Sequence, residues 1–207
     1  MHKSEYTVEY LSEYNTKYIF IHIPLINSNG SHKIPFVYAP NGLSRGTKSA
    51  VDLVKETNFT ICINAGLFNP AFDTYEPEGL IIENGAIIQN KPAVRYPDSK
   101  PLTIDSNGLL SYVEPTVDAN ELVANGITSA VCGFMPIVVD GNPVARTEWT
   151  CVPHYNGLHQ RQVIGQFENG DYAIITCEGR GYNESEGWTI AQTQEIWIKH
   201  GLKFAYN

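Results

Sequence analysis

Basic side chains are scarce in this sequence of 207 residues. Lys and Arg number 14 against 22 Asp and Glu, so the formal net charge is −8, and no segment carries a stripe of Lys or Arg. A protein that binds the backbone of a nucleic acid polymer needs such a positive surface. We therefore exclude a nucleic acid polymer as a partner, whereas a sugar phosphate or nucleotide remains compatible with a local arginine pocket.

Long apolar runs are also absent. The longest, at residues 18–26, is broken by His22 and Pro24 and is far shorter than the ~20 residues of a membrane-spanning helix. The first residues, Met1 to Tyr6, lead into alternating polar and apolar positions and lack the apolar core and cleavage site of a signal peptide. We expect no membrane association, and either a mature chain or export by another route.

The familiar cofactor and nucleophile motifs are missing as well. No G-x-G-x-x-G follows a strand-like segment, and there is no Walker A, H-E-x-x-H or G-x-S-x-G motif. The four cysteines form no C-x-x-C pair and the six histidines show no metal-binding spacing, so we expect free thiols and no transition-metal site. No cofactor is predicted; a Mg²⁺ or Ca²⁺ site is left open, because oxygen-ligand sites have little spacing signature.

Aromatic and turn-forming residues, by contrast, are plentiful. The sequence has 12 Tyr, 17 Gly and 12 Pro with 43% apolar residues, which is typical of a sheet-rich domain with many turns. Alternation and β-branched content predict strands at residues 6–10, 18–23, 59–63, 130–139, 162–167, 172–177 and 203–207, and hairpins at 80–88 and 102–112. After residues 44–47, the apolar spacing of Ala50, Val51, Leu53 and Val54 predicts a short helix that ends before Asn58. Further helices are predicted at residues 118–124 and from Thr189 to Gly201.

These elements predict an α+β fold. We expect a single domain spanning residues 1–207, with a predominantly antiparallel, mixed β-sheet and two to three short helices. Residues 1–58 would supply N-terminal strands and a helix, and residues 59–207 the core of the domain.

Polar and glycine-containing clusters stand at the ends of several predicted strands. Asn64 lies beside a tight bend at Gly66, Glu78 precedes a buried strand, and Gly133 bends another; Arg161 precedes a strand, and Glu178 and Arg180 follow one. We expect two guanidiniums and a carboxylate to converge on one end of the sheet, where arginine forks suit phosphate. Structural alternatives stay open: turn capping for Asn64 and Glu78, and ion pairing for Arg161, or between Glu178 and Arg180.

The order and spacing of these segments resemble the phosphodiester glycosidase family. The matching segments are Asn64-Ala-Gly-Leu-Phe68, Pro77-Glu-Gly-Leu80, Gly133-Phe-Met-Pro136 and Arg161-Gln-Val-Ile-Gly165. The resemblance covers residues 60–207. It implies hydrolysis of the bond between a sugar anomeric carbon and a phosphodiester oxygen. It also implies a bacterial or phage version, because relatives occur among bacterial envelope and phage virion proteins, and it therefore favours an extracellular, cell-envelope or virion location.

Two departures from the family pattern affect this expectation. Ala65 replaces the middle glycine of the family's first cluster, which narrows the backbone freedom only slightly. In the family, the segment resembling Phe204-Ala-Tyr-Asn207 continues into Leu-Asp-Gly-Gly-Gly-Ser, whose aspartate belongs to the active site. This sequence ends at Asn207, before that aspartate. Three explanations are open: a shortened or processed chain, a partner chain that supplies the rest, or a protein that binds without catalysis.

The resemblance also implies roles for individual residues. A phosphate leaving group needs little protonation, so charge stabilisation should dominate catalysis. We expect Arg161, with Arg180, to bind the phosphate, and Asn64 to bind the phosphate or a sugar hydroxyl. Glu78 or Glu178 would activate water or stabilise an oxocarbenium ion. The predicted catalytic residues are Asn64, Glu78, Arg161 and Glu178. The predicted ligand-binding residues are Gly66, Gly133, Arg180 and Trp188.

A second class of function is a binding module without catalysis. Such a module would hold a carbohydrate, sugar phosphate or nucleotide, for example in a virion or cell-envelope structural protein. Aromatic side chains in predicted loops, namely Tyr75, Tyr155, Tyr182 and Trp188, would stack on sugar faces. Trp188 also fits an anchor at the start of the last helix.

Overall fold

The chain folds into two antiparallel sheets and three helices in a computed structural model, which describes residues 6–27, 29–38, 49–57, 59–69, 76–148 and 156–207. The strands in chain order are β1 (Thr7–Glu13), β2 (Thr16–Ile23), β3 (Phe68–Asn69), β4 (Glu76–Pro77), β5 (Ile81–Glu83), β6 (Ala86–Gln89), β7 (Leu102–Asp105), β8 (Leu110–Tyr112), β9 (Ile127–Val131), β10 (Pro136–Val139), β11 (Asn142–Pro143), β12 (Arg161–Gln166), β13 (Tyr172–Cys177) and β14 (Phe204–Tyr206). The helices are α1 (Ala50–Thr57), α2 (Ala119–Ala124) and α3 (Ile190–Lys199).

The larger sheet has seven strands in the order β1-β2-β13-β12-β14-β10-β11, and the smaller has five in the order β6-β5-β9-β7-β8. The short strands β3 and β4 pair with each other. Every strand pairing in the described ranges is antiparallel. The predicted single α+β domain with antiparallel strands is confirmed.

Three hydrophobic clusters stack these elements into layers. Helix α3 packs on one face of the larger sheet through Trp197 and Val163, the two sheets face each other through Val131 and Tyr206, and α2 covers the outer face of the smaller sheet through Leu122. Side chains alternate between the two faces along a strand. Adjacent residues of β12 therefore project to opposite sides of the larger sheet.

The two sheets are also joined by a buried side-chain amide. Gln166 is 3% exposed; its Oε1 accepts from the Leu110 nitrogen at 2.9 Å, and its Nε2 donates to the carbonyl oxygens of Gly108 and Gly170 at 3.0 and 2.9 Å. These contacts fix β12 against the turn between β7 and β8. The relative position of the two sheets is thus set by hydrogen bonds as well as by apolar packing.

Local signals account for the helix ends. Thr189 and Gln192 form a reciprocal capping box at the start of α3, and Asp118 caps α2 by accepting from the Asn120 nitrogen. The short helix predicted to end before Asn58 is α1, and residues 44–47, which precede it in the prediction, lie outside the described ranges.

Two strand predictions were wrong. Residues 59–67 form no strand, although residues 59–63 have a β-type composition. The segment 130–139 is not one strand: its first part belongs to β9 in the smaller sheet and its second part to β10 in the larger. The chain crosses between the sheets at residues 132–135, where Gly133 packs directly against a tyrosine ring.

Candidate functional site

The loops that resemble the family motifs meet at one end of both sheets. Arg161 pairs with Cys177 at that end of the larger sheet, and β14 runs towards it. In the smaller sheet, Val131 is paired with both Ile81 and Leu102. Residues 132–135 connect the two sheets at this end. We call it the site end, defined by residues 64–67, 76–80, 132–135, 157–162 and 178–188.

Asn64 is fixed to the larger sheet through its backbone. Its nitrogen donates to Gln162 Oε1 at 2.8 Å, and Gln162 Nε2 donates to Thr176 Oγ1 at 3.2 Å on the neighbouring strand. The Asn64 residue is exposed, and its side-chain amide forms no hydrogen bond with another described residue. The backbone at Asn64 is therefore held in place, and its side-chain amide is available to a ligand.

The segment after Asn64 is tied to the smaller sheet. The Leu67 nitrogen donates to the Cys132 carbonyl at 2.8 Å, and the Glu78 nitrogen donates to the Leu67 carbonyl at 2.9 Å. Gly66 is exposed, and a Cβ there would lie 3.3 Å from Val131 Cγ2. These contacts place the predicted residues Asn64, Gly66 and Glu78 on connected segments.

Glu78 is a buried carboxylate with one unused oxygen. The residue is 5% exposed. Its Oε2 accepts from the Arg95 nitrogen at 2.8 Å, whereas Oε1 is buried and has no hydrogen-bond partner. The carboxylate thus caps a backbone amide, as the structural alternative expected, and still keeps accepting capacity. A buried acceptor without a partner carries a desolvation cost, and such sites are concentrated where a ligand or proton is handled.

Gly133 serves packing. Its nitrogen donates to the Tyr206 hydroxyl at 3.0 Å, and a Cβ at this position would lie 2.6 Å from Tyr206 Cε1. The hydroxyl in turn donates to the Lys100 carbonyl at 2.7 Å. Because the Gly133 amide is already used by the tyrosine, the residue shapes the crossover between the sheets, and its predicted ligand contact finds no support here.

Arg161 lies at the site end on the α3 side of the larger sheet, opposite the Gln162 side chain. It is 8% exposed; Nε donates to the Trp188 carbonyl at 3.0 Å and Nη2 to the Gly157 carbonyl at 3.2 Å. Burial lowers the pKa of its guanidinium, and burial also raises the pKa of the neighbouring Cys177 thiol to about 11. In this arrangement Arg161 holds two loops together. Its predicted phosphate contact stays a prediction.

Glu178 and Arg180 use different partners. Glu178 Oε1 accepts from Asn183 Nδ2 at 2.9 Å, and Oε2 is buried without a hydrogen-bond partner. Arg180 Nη2 lies 3.2 Å from His159 Nδ1, a contact that requires this ring nitrogen to accept. The ion pair between Glu178 and Arg180 that the sequence allows is not formed between these two described residues.

The loop that carries them has an uncommon backbone. Three residues that are not glycine have positive φ, namely Arg180 at 59°, Asn183 at 47° and Glu184 at 61°. Such conformations cost free energy and persist only where the surrounding structure enforces them. The loop is therefore held in one shape at the site end.

Trp188 is a core residue. Its ring is fully buried, contacts Tyr18 edge-on at 4.9 Å between centroids, and donates from Nε1 to the Glu13 carbonyl at 3.1 Å. A ring buried in this way offers no face to a sugar, so the structure supports the anchor alternative. Of the other predicted platforms, Tyr182 is 66% exposed, and Tyr75 and Tyr155 lie outside the described residues.

Sequence reasoning missed two residues at this end. Gln162 positions Asn64, and Arg95 donates its backbone nitrogen to Glu78. Gln162 stands inside the Arg161-Gln-Val-Ile-Gly165 segment, so its position in a family-like strand was a weak signal that it belongs to the site. Arg95 stands in a segment without strand or helix, and only the fold brings it to the carboxylate.

Two kinds of feature are absent from the described residues. No three His, Cys, Asp or Glu side chains come together there as potential metal ligands. None of the helices there is both long enough and apolar enough to span a membrane.

Solved structures share this fold at low sequence identity. One is the catalytic domain of zebrafish N-acetylglucosamine-1-phosphodiester alpha-N-acetylglucosaminidase, auto-inhibited by its pro-peptide: the TM-score is 0.65 at 13% identity, over 99% of this chain and 69% of that one. A hypothetical protein from Synechocystis gives 0.65 at 11% identity, over 98% of this chain and 55% of that one. At these identities the likeness concerns the fold.

Sequence comparisons carry the family assignment. The chain is 25% identical over 160 residues to the SPbeta prophage-derived uncharacterized protein YomE of Bacillus subtilis (strain 168), over 77% of this chain. The chain spans only about a quarter of that relative, 24% of its length. The family model for phosphodiester glycosidases (NAGPA) matches residues 57–207, which include every loop of the site end. The chain therefore belongs to the phosphodiester glycosidase family.

Proposed function

We propose that the site end hydrolyses the bond between the anomeric carbon of a sugar and the oxygen of a phosphodiester. The observation that carries the proposal is the unused oxygen of the buried Glu78 carboxylate, on a segment that is hydrogen-bonded to the one carrying the exposed Asn64 amide, in a chain of this family. A carboxylate and neutral donors at one place suit a reaction in which positive charge develops on the sugar and negative charge on the leaving group.

The proposed step needs no strong acid. The carbon–oxygen bond breaks, and its electron pair leaves with the phosphate oxygen as an anion. Water adds its oxygen to the anomeric carbon and loses one proton to Glu78 or Glu178, then to solvent. The Asn64 amide binds a phosphate oxygen or a sugar hydroxyl. Gln162 and Arg161 keep the surrounding loops in position.

The matching substrates are sugar-1-phosphodiesters, including uridine-diphosphate sugars. A sugar-phosphate ligand is compatible with the net charge of −8, because the local field decides ion binding. The phage-derived relative supports placing this chain in a virion, cell envelope or extracellular setting, which we include in the proposal.

The experiment measures release of free sugar from a panel of sugar-1-phosphodiesters. Two chains are compared: the 207-residue sequence, and the same sequence followed by Leu-Asp-Gly-Gly-Gly-Ser. Glu78→Gln keeps the shape and an acceptor for the Arg95 nitrogen, and we expect it to lower kcat by about 100-fold or more. The exposed Glu76→Gln is the matched control and should leave kcat within about twofold.

A parallel pair identifies the second carboxylate. Glu178→Gln removes the charge beside the strained loop, and Glu186→Gln removes an exposed charge from the same segment. If neither the 207-residue chain nor the extended chain releases sugar while both bind the panel, the protein is a binding module without catalysis. If neither chain binds, the proposal is wrong.

A further inference from the structure

We infer that Arg95 binds the phosphate oxygens of the substrate, an inference that rests on the proposed function. Arg95 follows β6 in a segment that packs on the site end. Its backbone nitrogen is the group that donates to Glu78 Oε2 at 2.8 Å. Arg161 and Arg180 are the phosphate candidates from sequence, whereas the fold brings the backbone of a different arginine to the buried carboxylate.

The Arg95 guanidinium has its donors available. The residue is exposed, and its side chain forms no hydrogen bond or ion pair with any residue in the described ranges. Only its backbone is used by Glu78, so the carboxylate does not neutralise the cation through a direct ion pair. A guanidinium presents five donors in a planar fork that fits two phosphate oxygens at once.

An aromatic ring orients this cation. The guanidinium carbon lies 5.3 Å from the centre of the Tyr96 ring, and that ring contacts Phe134 edge-on at 5.6 Å. The Phe134 nitrogen donates to the Asn207 carbonyl at 3.3 Å, at the end of β14. Stacking on an anchored ring restricts the arginine side chain, so less conformational entropy is lost when a ligand binds.

Three other cations near this end, all among the described residues, are engaged. Arg161 is buried and donates to two backbone carbonyls, and Arg180 donates to His159. Lys100 lies 3.4 Å from Glu114 and 3.9 Å from Glu148. Unlike Arg161 and Arg180, Arg95 therefore combines an exposed guanidinium that has open donors with a backbone hydrogen bond to Glu78.

The arrangement also fits the proposed bond cleavage. A phosphate held by Arg95 would lie beside the carboxylate that its own backbone nitrogen supports. The negative charge that forms on the leaving phosphate would meet the Arg95 cation, and Glu78 would act on the sugar side of the same bond. The expected substrate class is therefore a glycosyl phosphodiester with at least one ionised phosphate, and neutral glycosides should bind without help from Arg95.

The test uses calorimetric binding of two probes, inorganic phosphate and glucose 1-phosphate, together with release of sugar from the diester panel. Arg95→Gln keeps the backbone nitrogen and its bond to Glu78. We expect it to weaken binding of both probes about 10- to 100-fold and to raise KM more than it changes the affinity for free glucose. Arg95→Lys should bind with intermediate affinity, because it restores charge without the fork.

Lys91→Gln is the matched control, since it removes one exposed positive charge from the same segment and should leave probe affinity within about twofold. Equal affinities of the Arg95→Gln and Lys91→Gln variants, or no binding of either probe by the unaltered chain, would overturn the inference. If the unaltered chain releases no sugar but Arg95→Gln still loses probe binding, the glycosidase proposal fails and the Arg95 assignment stands. Thermal unfolding of each variant verifies that it is folded.

Discussion

The bond between Gln162 and Asn64 gives a prediction that links the sheet to the site. Gln162→Leu keeps nearly the same side-chain volume and removes both of its hydrogen bonds, to the Asn64 nitrogen at 2.8 Å and to Thr176 Oγ1 at 3.2 Å. Each such bond contributes about 0.5–1.5 kcal/mol. Because Gln162 is only half-buried, we expect a loss of about 1–2 kcal/mol of unfolding free energy, or about 2–8 °C in Tm.

The effect of Gln162→Leu on the site should exceed its effect on overall stability. The Asn64 amide loses its acceptor, so its hydrogen exchange should become about fivefold faster or more by NMR. The Asn64 side chain is then no longer held in place, and kcat/KM for sugar release should fall about 10- to 100-fold, because misplacing a binding group by about 1 Å has costs of this size. Gln160→Leu is the control: its side chain is exposed and forms one bond of 3.4 Å, to the Gly179 carbonyl.

A double-mutant cycle decides whether Gln162 acts through Asn64. If it does, Asn64→Ala should reduce kcat/KM much less in the Gln162→Leu background than in the unaltered chain. Additive effects of the two substitutions on kcat/KM, or unchanged exchange of the Asn64 amide in Gln162→Leu, would refute the reasoning.

Two further predictions concern stability. Burial raises the pKa of Asp171, but hydrogen bonds from the Leu25 nitrogen, Asn169 and His22 outweigh burial and leave the pKa below its ordinary value. The ionised carboxylate therefore stabilises the folded state at pH values above the pKa of Asp171 in the unfolded chain. This contribution is lost as the pH falls through the pKa of Asp171 in the folded protein. The deficit of Asp171→Asn in urea unfolding should be largest near pH 7 and shrink below about pH 4, and a deficit independent of pH would contradict this. Gly133→Ala should cost about 1–3 kcal/mol, because its Cβ would lie 2.6 Å from a Tyr206 ring carbon; an unchanged Tm would show that the ring moves without cost.

The sequence allowed prediction of the elements whose signals are local. The capping residues Thr189 and Asp118, and the β-branched composition of β2 and β13, act within a few residues of where they stand. Their elements were accordingly predicted within a few residues of the observed bounds.

The remaining features depend on contacts between distant segments. The sequence indicated a bend at Gly133, but the crossing from the smaller to the larger sheet, where Gly133 approaches Tyr206, has no local pattern. The same holds for the site. Asn64 and Glu78 were singled out as polar residues at the ends of predicted strands, and the resemblance then implied their roles; they do lie on connected loops. The contact of Arg95 with Glu78 joins positions 17 residues apart and appears only in the fold. Trp188 looked like a loop residue because its burial comes from α3 and β2.

The most direct test of the proposed reaction is hydrolysis of a sugar-1-phosphodiester in H₂¹⁸O, with mass spectrometry of both products. Cleavage between the anomeric carbon and oxygen places the label in the free sugar and leaves the phosphate product unlabelled, which is the predicted result. Label in the phosphate would mean attack at phosphorus, and would contradict the assignment of the site end as a glycosidase site.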